Sequence, residues 1–178
     1  MKKLLVFIGE GGSGKTTLIT ELVKRYPDKF KKVVTCTSRL PRIGEVDGID
    51  YRFLPTEYFI DNTDLVLVKK TDLGDYYGTR KADLCSNTRY PLLTLRFAGI
   101  SKLVKLAISD VAVVHISITK ELKVARMRQR GDTEKMIRRR LEFDIEDKAD
   151  VDLSRISIIN LDASETLDAK VRRILEAH

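Results

Sequence analysis

Short apolar runs alternate with amphipathic segments along most of the 178-residue chain. The run from Leu4 to Ile8 is continuous and ends at a glycine, which is typical of a strand buried on both faces of a parallel sheet. An apolar stripe between residues 18 and 23, stopped before Pro27, predicts the first helix. Further strands are predicted at 33–36, 65–68, 91–95, 111–118 and 156–160, and further helices at 100–107, 120–130, 135–146 and after 167.

This alternation of strands and helices predicts an α/β fold with a parallel central sheet. Ligands of such folds bind at the carboxyl ends of the strands, so the loops at that edge are expected to carry the functional residues. Residues 38–90 differ from the rest, since they contain short segments and many glycines and prolines.

The composition indicates one compact domain, because 43% of the residues are hydrophobic and no linker-like stretch interrupts the chain. The first apolar run is too short for a signal peptide or a membrane span, and no later run is longer. We therefore expect a soluble, cytoplasmic protein without a membrane partner. Cys36 and Cys85 have no metal-type spacing and are expected to be reduced thiols.

The chain carries a formal net charge of +7, and its basic residues are concentrated at 126–140. Such a run is either a solvated helix face or a site for anions. It contains no aromatic residues for stacking single-stranded bases, so nucleic acid is not the expected partner.

One motif after the first strand specifies nucleotide binding. Residues 9–16 read GEGGSGKT and match G-x-x-x-x-G-K-[ST] in full, between a predicted strand and a predicted helix. Glycines let backbone N–H groups converge on phosphate, and the helix N-terminus adds its positive end. Lys15 is expected to reach the β and γ phosphates of ATP, and the Thr16 hydroxyl to bind Mg²⁺. The expected nucleotide-binding residues of this loop are Gly9, Gly11, Gly12, Ser13, Gly14, Lys15, Thr16 and Thr17.

A second region carries groups suited to another phosphate. In the string 38–51, Arg39 and Arg42 bracket a proline, and Glu45 and Tyr51 follow. Guanidinium groups bind phosphate oxygens in bidentate geometry, and a tyrosine hydroxyl adds a donor. A later string, 74–81, adds two tyrosines beside a glycine.

Taken together, these strings resemble the guanylate kinase family. Residues 38–51 resemble its signature, 75–79 its second substrate motif, 128–132 with 138–141 its lid, and 158–160 its late strand. The resemblance implies a P-loop NTPase-type parallel sheet flanked by helices, with a monophosphate-binding insert and a helical lid. It divides the single domain into a core (1–37, 90–125 and 150–178), an insert at about 38–89 and a lid at about 126–148.

The resemblance also implies roles for individual residues. Arg39, Arg42, Tyr51 and Tyr77 would hold the acceptor phosphate, Thr35 and Thr79 would help read guanine, and Glu45 would orient its loop. Arg130 and Arg140 match lid arginines, Arg126 is a weaker candidate on the ATP side, and Asn160 matches a contact near adenine. The implied catalytic residues are Lys15, Arg42, Arg130 and Arg140.

Three positions depart from the family pattern. Val68 stands nine residues before Tyr77, where an acid accepts hydrogen bonds from guanine, and Arg96 stands where an aspartate does so. Thr94 likewise replaces an acid on the Mg²⁺ side. Arginine offers only donors, so we expect Arg96 to bind substrate and to shift the base preference, unless Asp64 or Asp72 restores guanine reading or Arg96 pairs with an acid.

The expected activity is transfer of the ATP γ-phosphoryl group to GMP or dGMP, with a small-molecule acceptor as the partner and a monomer or homodimer as the assembly. One alternative is the same reaction on a pyrimidine, a modified base or another phosphate ester. A second alternative is a catalytically weak, protein-binding module.

Overall fold

The computed structural model describes residues 2–71, 74–106, 110–129, 131–147 and 156–178. In chain order, its strands are β1 (Leu4–Ile8), β2 (Phe30–Lys32), β3 (Cys36–Thr37), β4 (Arg52–Phe53), β5 (Leu65–Lys70), β6 (Tyr76–Arg80), β7 (Tyr90–Thr94), β8 (Val111–Ser117) and β9 (Ser157–Asp162). Its α-helices are α1 (Lys15–Arg25), α2 (Phe97–Lys105), α3 (Lys120–Gln129), α4 (Glu134–Asp147) and α5 (Leu167–Ala177).

The larger sheet has five parallel strands in the order β2-β7-β1-β8-β9. Phe7 pairs with Thr94 of β7, and Ile8 pairs with His115 of β8, so the carboxyl ends of the three central strands lie side by side. This arrangement confirms the predicted fold class and places the loops after β1 and β7 at one edge.

Strand β1 is buried on both faces, as its continuous apolar run predicts. All five of its residues have no exposed surface. Leu5 and Phe7 pack with α1 and α5, whereas Leu4, Val6 and Ile8 pack with α2 on the other face. Burial of each such side chain contributes about 1.5–3 kcal/mol, so this strand anchors the loop that follows it.

A second, four-stranded sheet has the order β4-β3-β6-β5 and mixes parallel with antiparallel pairs. One of its faces covers a small apolar cluster of Cys36, Phe59 and Leu65. From β5, Val66 and Leu67 pack against the α2 side of the main core. The second sheet is thereby attached to the main body next to α2. The division of the single domain into a core, an insert at about 38–89 and a lid at about 126–148 stays a prediction.

The predicted strand at 33–36 is wrong. The structure has β2 at Phe30–Lys32 in the main sheet and β3 at Cys36–Thr37 in the second sheet, and residues 33–35 carry the chain from one sheet to the other. The Val33 N–H still donates to the carbonyl of Leu92, 2.9 Å away, so the main sheet holds the start of this crossing. The other predicted strands correspond to β5, β7, β8 and β9.

Candidate active site

The phosphate loop follows β1 and can be built only with glycine at its two ends. Gly9 has φ +142°, and a Cβ there would lie 2.4 Å from the carbonyl oxygen of Ile116. Gly14 precedes α1 with φ +94°, in the left-handed region that side chains rarely adopt. The N-terminus of α1, which has no acidic residue in its first turn, therefore opens directly onto the loop.

Lys15 extends back over the loop that precedes it. Its ammonium donates to the carbonyls of Gly9 and Glu10, at 2.7 and 2.8 Å, and lies 3.3 Å from the Ser13 hydroxyl. Ser13 is fully buried, whereas Thr16 and Thr17 are exposed in the first turn of α1. The loop thus presents one ammonium and two hydroxyl groups on the side where the helix begins.

Two arginines from the helical region reach this loop. Arg126 of α3 donates to the carbonyl of Gly12 at 2.8 Å and to that of Ala163 at 3.0 Å, which ties the loop to the segment after β9. Arg140 of α4 lies against Gly11, since a Cβ on that glycine would be 2.9 Å from the arginine Nε. The structure therefore brings Arg126 and Arg140 to the phosphate loop, and the predicted Arg130 lies outside the described residues.

On the second sheet, Arg39 is held on three sides. Its terminal nitrogens bind both carboxylate oxygens of Glu45, at 2.7 and 2.6 Å, and its Nε donates to the Tyr77 hydroxyl at 3.1 Å. The guanidinium also lies 4.9 Å from the ring centroid of Tyr51. Ionic, hydrogen-bonding and cation–π contacts thus fix one arginine in place.

Glu45 also joins the two predicted acceptor arginines. Its Oε2 accepts the backbone N–H of Arg42 at 2.8 Å, in addition to the Arg39 guanidinium. These bonds, the Arg39 guanidinium first, lower the pKa of the Glu45 carboxyl to about 2. Glu45 therefore stays ionised at all ordinary pH values and orients its loop, while the Arg42 side chain is exposed.

The predicted guanine-reading hydroxyls occupy different surroundings. Thr79 is buried in β6, two residues after Tyr77 and hence on the same face of the second sheet. Thr35 lies between the sheets, and its carbonyl accepts the N–H of Arg52 at 2.9 Å. The structure brings Tyr51, Tyr77 and Arg39 together, with Thr79 next along the strand.

Val68 lies on the other face of the second sheet from Tyr77. A Cβ on Gly78 would be 3.4 Å from its Cγ2, and Val68 packs against the cluster of Cys36, Phe59 and Leu65. The register of β5 shifts between Val66 and Lys69, and Leu67 has φ +57°. This bulge changes which side chains of β5 share the face of Tyr77, and counting along the sequence could not show it.

Arg96 and Asn160 lie at the carboxyl edge of the main sheet. Arg96 is exposed just after β7 and precedes α2. Asn160 is paired in register with His115, its Oδ1 is 3.3 Å from the His115 Nδ1, and Phe97 packs edge-on against that imidazole at 5.4 Å. His115 of β8 thus belongs to a contact group beside the phosphate loop.

The sequence analysis did not predict one ion pair at the phosphate loop. Lys123 of α3 is 1% exposed, and its Nζ lies 2.7 Å from the Glu10 Oε2 within the phosphate loop. A lysine in a basic helix is expected to face solvent, so the only available signal was its position four residues before Met127, on the buried stripe of α3.

A phosphate loop at the carboxyl edge of a parallel sheet, reached by arginines from following helices, defines a P-loop phosphotransferase. The guanylate kinase family model matches residues 1–178, and the chain belongs to the guanylate kinase family.

Individual relatives agree with this assignment. A guanylate kinase of Chlamydia abortus is 30% identical over 173 residues, with 93% of this chain and 84% of that protein covered. A guanylate kinase of Gloeobacter violaceus is 30% identical over 182 residues, with 99% and 88% covered. The chain is therefore similar to these enzymes over nearly its whole length.

Solved structures support the fold. The crystal structure of a guanylate kinase from Anaplasma phagocytophilum superposes with a TM-score of 0.68, covering 99% of this chain and 84% of that chain at 20% identity. A gluconokinase from Sinorhizobium meliloti superposes with a TM-score of 0.55, covering 98% and 90% at 15% identity. Across the described ranges, no helix is both long and apolar enough to cross a membrane.

Proposed function

We propose that the chain transfers the γ-phosphoryl group of ATP to the phosphate of GMP or dGMP. The observation that carries the proposal is the preorganised cluster of Arg39, Glu45, Tyr51 and Tyr77. This cluster offers hydrogen-bond donors to a phosphate group, and it lies on the second sheet, whereas the phosphate loop for ATP lies on the main sheet. An acceptor that already bears a phosphate fits this cluster. Guanine as its base is supported by relatives that are named guanylate kinase.

The hydrogen-bond direction within the cluster supports a role for Tyr77. Its oxygen accepts the Arg39 Nε–H at 3.1 Å, so its own O–H proton points elsewhere and is available to a phosphate oxygen. Donation by a guanidinium also makes this hydroxyl a stronger donor. Tyr51, whose ring centroid lies 6.0 Å from that of Tyr77, provides a second hydroxyl in the same region.

The proposed chemistry needs no general base, since a monophosphate oxygen is already an anion. Positioning and charge neutralisation then supply the catalysis. Lys15 would exchange its loop carbonyls for phosphate oxygens, and Arg140 would neutralise charge on the transferring group. Arg42, with its exposed side chain, and Arg130 are assigned to the same group by the family resemblance.

Mg²⁺ is the proposed companion of ATP, and the residues present fit it. Among the residues that the structure describes, no group of three or more His, Cys, Asp and Glu side chains is placed to hold a metal. The exposed Thr16 hydroxyl in the first turn of α1 is the protein oxygen proposed to bind the ion. Mg²⁺ commonly takes one or two protein ligands with phosphates and water, and would supply charge neutralisation here.

The test is a coupled assay of ADP release with ATP, Mg²⁺ and a panel of ribo- and deoxynucleoside monophosphates. Turnover with GMP or dGMP is expected, at a kcat/KM at least about tenfold above that for any other base, a difference of about 1.4 kcal/mol. A Lys15→Ala variant provides the inactive control. Equal turnover with a pyrimidine monophosphate, or none with any acceptor, contradicts the proposal.

The alternatives raised by the sequence are not favoured by the comparisons. An altered base preference rested on Val68 and Arg96, whereas the relatives that match nearly the whole chain are named guanylate kinase. Protein-binding modules of this family typically lack a working phosphate loop, whereas this chain has the complete motif at residues 9–16.

A further inference from the structure

The phosphate loop contains a carboxylate at its second position, an unusual charge for a site that binds polyphosphate. Glu10 lies between Gly9 and the glycines that follow, and its backbone carbonyl holds the Lys15 ammonium at 2.8 Å. An uncompensated negative charge here would repel ATP phosphates. The side chain is 18% exposed, so solvent screens it only in part.

Lys123 compensates this charge from inside the protein. Its side chain is 1% exposed, and its Nζ donates to the Glu10 Oε2 at 2.7 Å. A buried ammonium is strongly unfavourable without a charged partner, so the pair fixes the direction in which the carboxylate points. That direction is toward α3.

The same helix contacts the loop at a second point. Arg126, three residues after Lys123 and thus on the same side of α3, donates to the carbonyl of Gly12 at 2.8 Å. Helix α3 therefore binds the loop through the Glu10 carboxylate and the Gly12 carbonyl. Between these two points lies the backbone that must present its N–H groups to phosphate.

We infer that Lys123 is a positioning residue for ATP: by holding the Glu10 carboxylate against α3 and cancelling its charge, it keeps the phosphate loop receptive to a triphosphate. The inference rests on the proposed function, since ATP is the assumed ligand. It assigns no contact between Lys123 and substrate. Its role is exerted through the charge and direction of the Glu10 carboxylate.

A charge-cancelling role predicts effects that a merely structural ion pair does not. In Lys123→Met the Glu10 carboxylate loses the ammonium that lies 2.7 Å from it, and ATP binding is expected to weaken at least about tenfold. In Glu10→Gln the remaining charge is positive, and ATP affinity is expected to stay within about threefold of wild type or to improve. The double variant has neither charge and is expected to recover to within about threefold of wild type.

The experiment measures ATP binding to the full chain by calorimetry without acceptor, together with KM for ATP, KM for GMP, kcat and the midpoint of thermal unfolding. Lys123→Met is expected to raise KM for ATP and to leave KM for GMP unchanged. Arg25→Met is the control, since it breaks exposed ion pairs to Glu21 and Asp168 at the far end of α1. It is expected to bind ATP as wild type does.

The inference is overturned if Lys123→Met binds ATP normally, if Glu10→Gln weakens binding as much as Lys123→Met, or if the double variant shows no recovery. If Lys123→Met fails to fold, the double variant decides the question, since it contains neither member of the ion pair: wild-type ATP affinity supports the inference and a tenfold loss overturns it. A wild-type protein that binds ATP but phosphorylates no GMP would refute the proposed function and leave this comparison intact.

Discussion

Glu45 binds both terminal nitrogens of Arg39 and the backbone N–H of Arg42, so one carboxylate organises both arginines of the acceptor loop. The side chains of Arg39 and Glu45 are 10% and 19% exposed, so the pair is more shielded than most surface ion pairs. At the residue scale, the proposed acceptor site is thus preorganised by charge pairing in the absence of substrate.

This pairing predicts a specific pH dependence of stability. The Glu45 pKa falls from an ordinary value of 4.5 to about 2 in the folded protein, chiefly through the Arg39 guanidinium. A depressed pKa stabilises the fold above the unfolded value and loses that contribution as the pH falls through the folded value. Wild type should therefore unfold at a higher temperature than Glu45→Gln at pH 7, with the difference shrinking between pH 4.5 and about 2.

The measurement is thermal unfolding of both proteins from pH 7 to pH 2. Glu57→Gln, at an exposed position of the same insert, is the matched control and should follow wild type. A difference between wild type and Glu45→Gln that is unchanged at the lowest pH would exclude the ionised carboxylate as its source.

Among the elements of the fold, the phosphate loop is the segment with the least freedom to change. A side chain at Gly9 would meet the backbone carbonyl of Ile116 at 2.4 Å, and neither backbone can move without disturbing β1 or β8. At Gly12 the φ of +81° is also left-handed, but nothing lies within 4 Å of the added carbon. The two glycines thus separate the effect of steric overlap from that of backbone conformation.

Gly9→Ala is expected to lower the unfolding midpoint and abolish ATP binding, because the end of β1 and the loop must shift apart. Gly12→Ala should cost only about 1–2 kcal/mol of stability, the usual penalty for a left-handed residue with a side chain. Unfolding curves and ATP calorimetry on both variants check this. Equal losses for the two would show that the Ile116 contact is not the constraint.

The sequence predicts most of the fold at this scale, because strands buried on both faces, such as β1 and β8, appear as runs rich in apolar residues. It fails where one run of residues serves two sheets, as at 33–36, because local apolar pattern does not record which sheet a residue joins. It fails again at Lys123, where a charge paired through tertiary structure occupies a buried helical position. The sequence also does not predict the bulge at Leu67, because the register of β5 is set by its pairing with β6.

For the molecule as a whole, the site is assembled from distant parts of the chain. The ammonium of Lys15 comes from the start of α1, and the guanidinium of Arg140 comes from α4 and lies against Gly11. In the proposed mechanism, these charges act on the transferring phosphoryl group only when both helices are in place. Arg140 is exposed, so its removal should affect catalysis far more than folding.

Arg140→Met is therefore expected to reduce kcat by about 10²–10³-fold, the loss typical of removing one preorganised charge-stabilising donor. The unfolding midpoint should change little. Arg139→Met removes a neighbouring exposed arginine of α4 and should retain normal turnover. Steady-state kinetics on the two variants distinguish a specific role of Arg140 from the general positive charge of the helix, since equal losses would indicate the latter.

The chain leaves the main sheet after β2, forms the second sheet, and returns at β7, which is the neighbour of β2. Phe30 to Lys32 pair directly with Tyr90 to Leu92, so the chain departs after β2 and returns at β7 through neighbouring backbones. An insertion with such close ends imposes little on the register of its host. The second sheet, proposed to bind the acceptor, is therefore an insertion between two neighbouring strands, and its chain ends place little constraint on the main sheet that carries the phosphate loop.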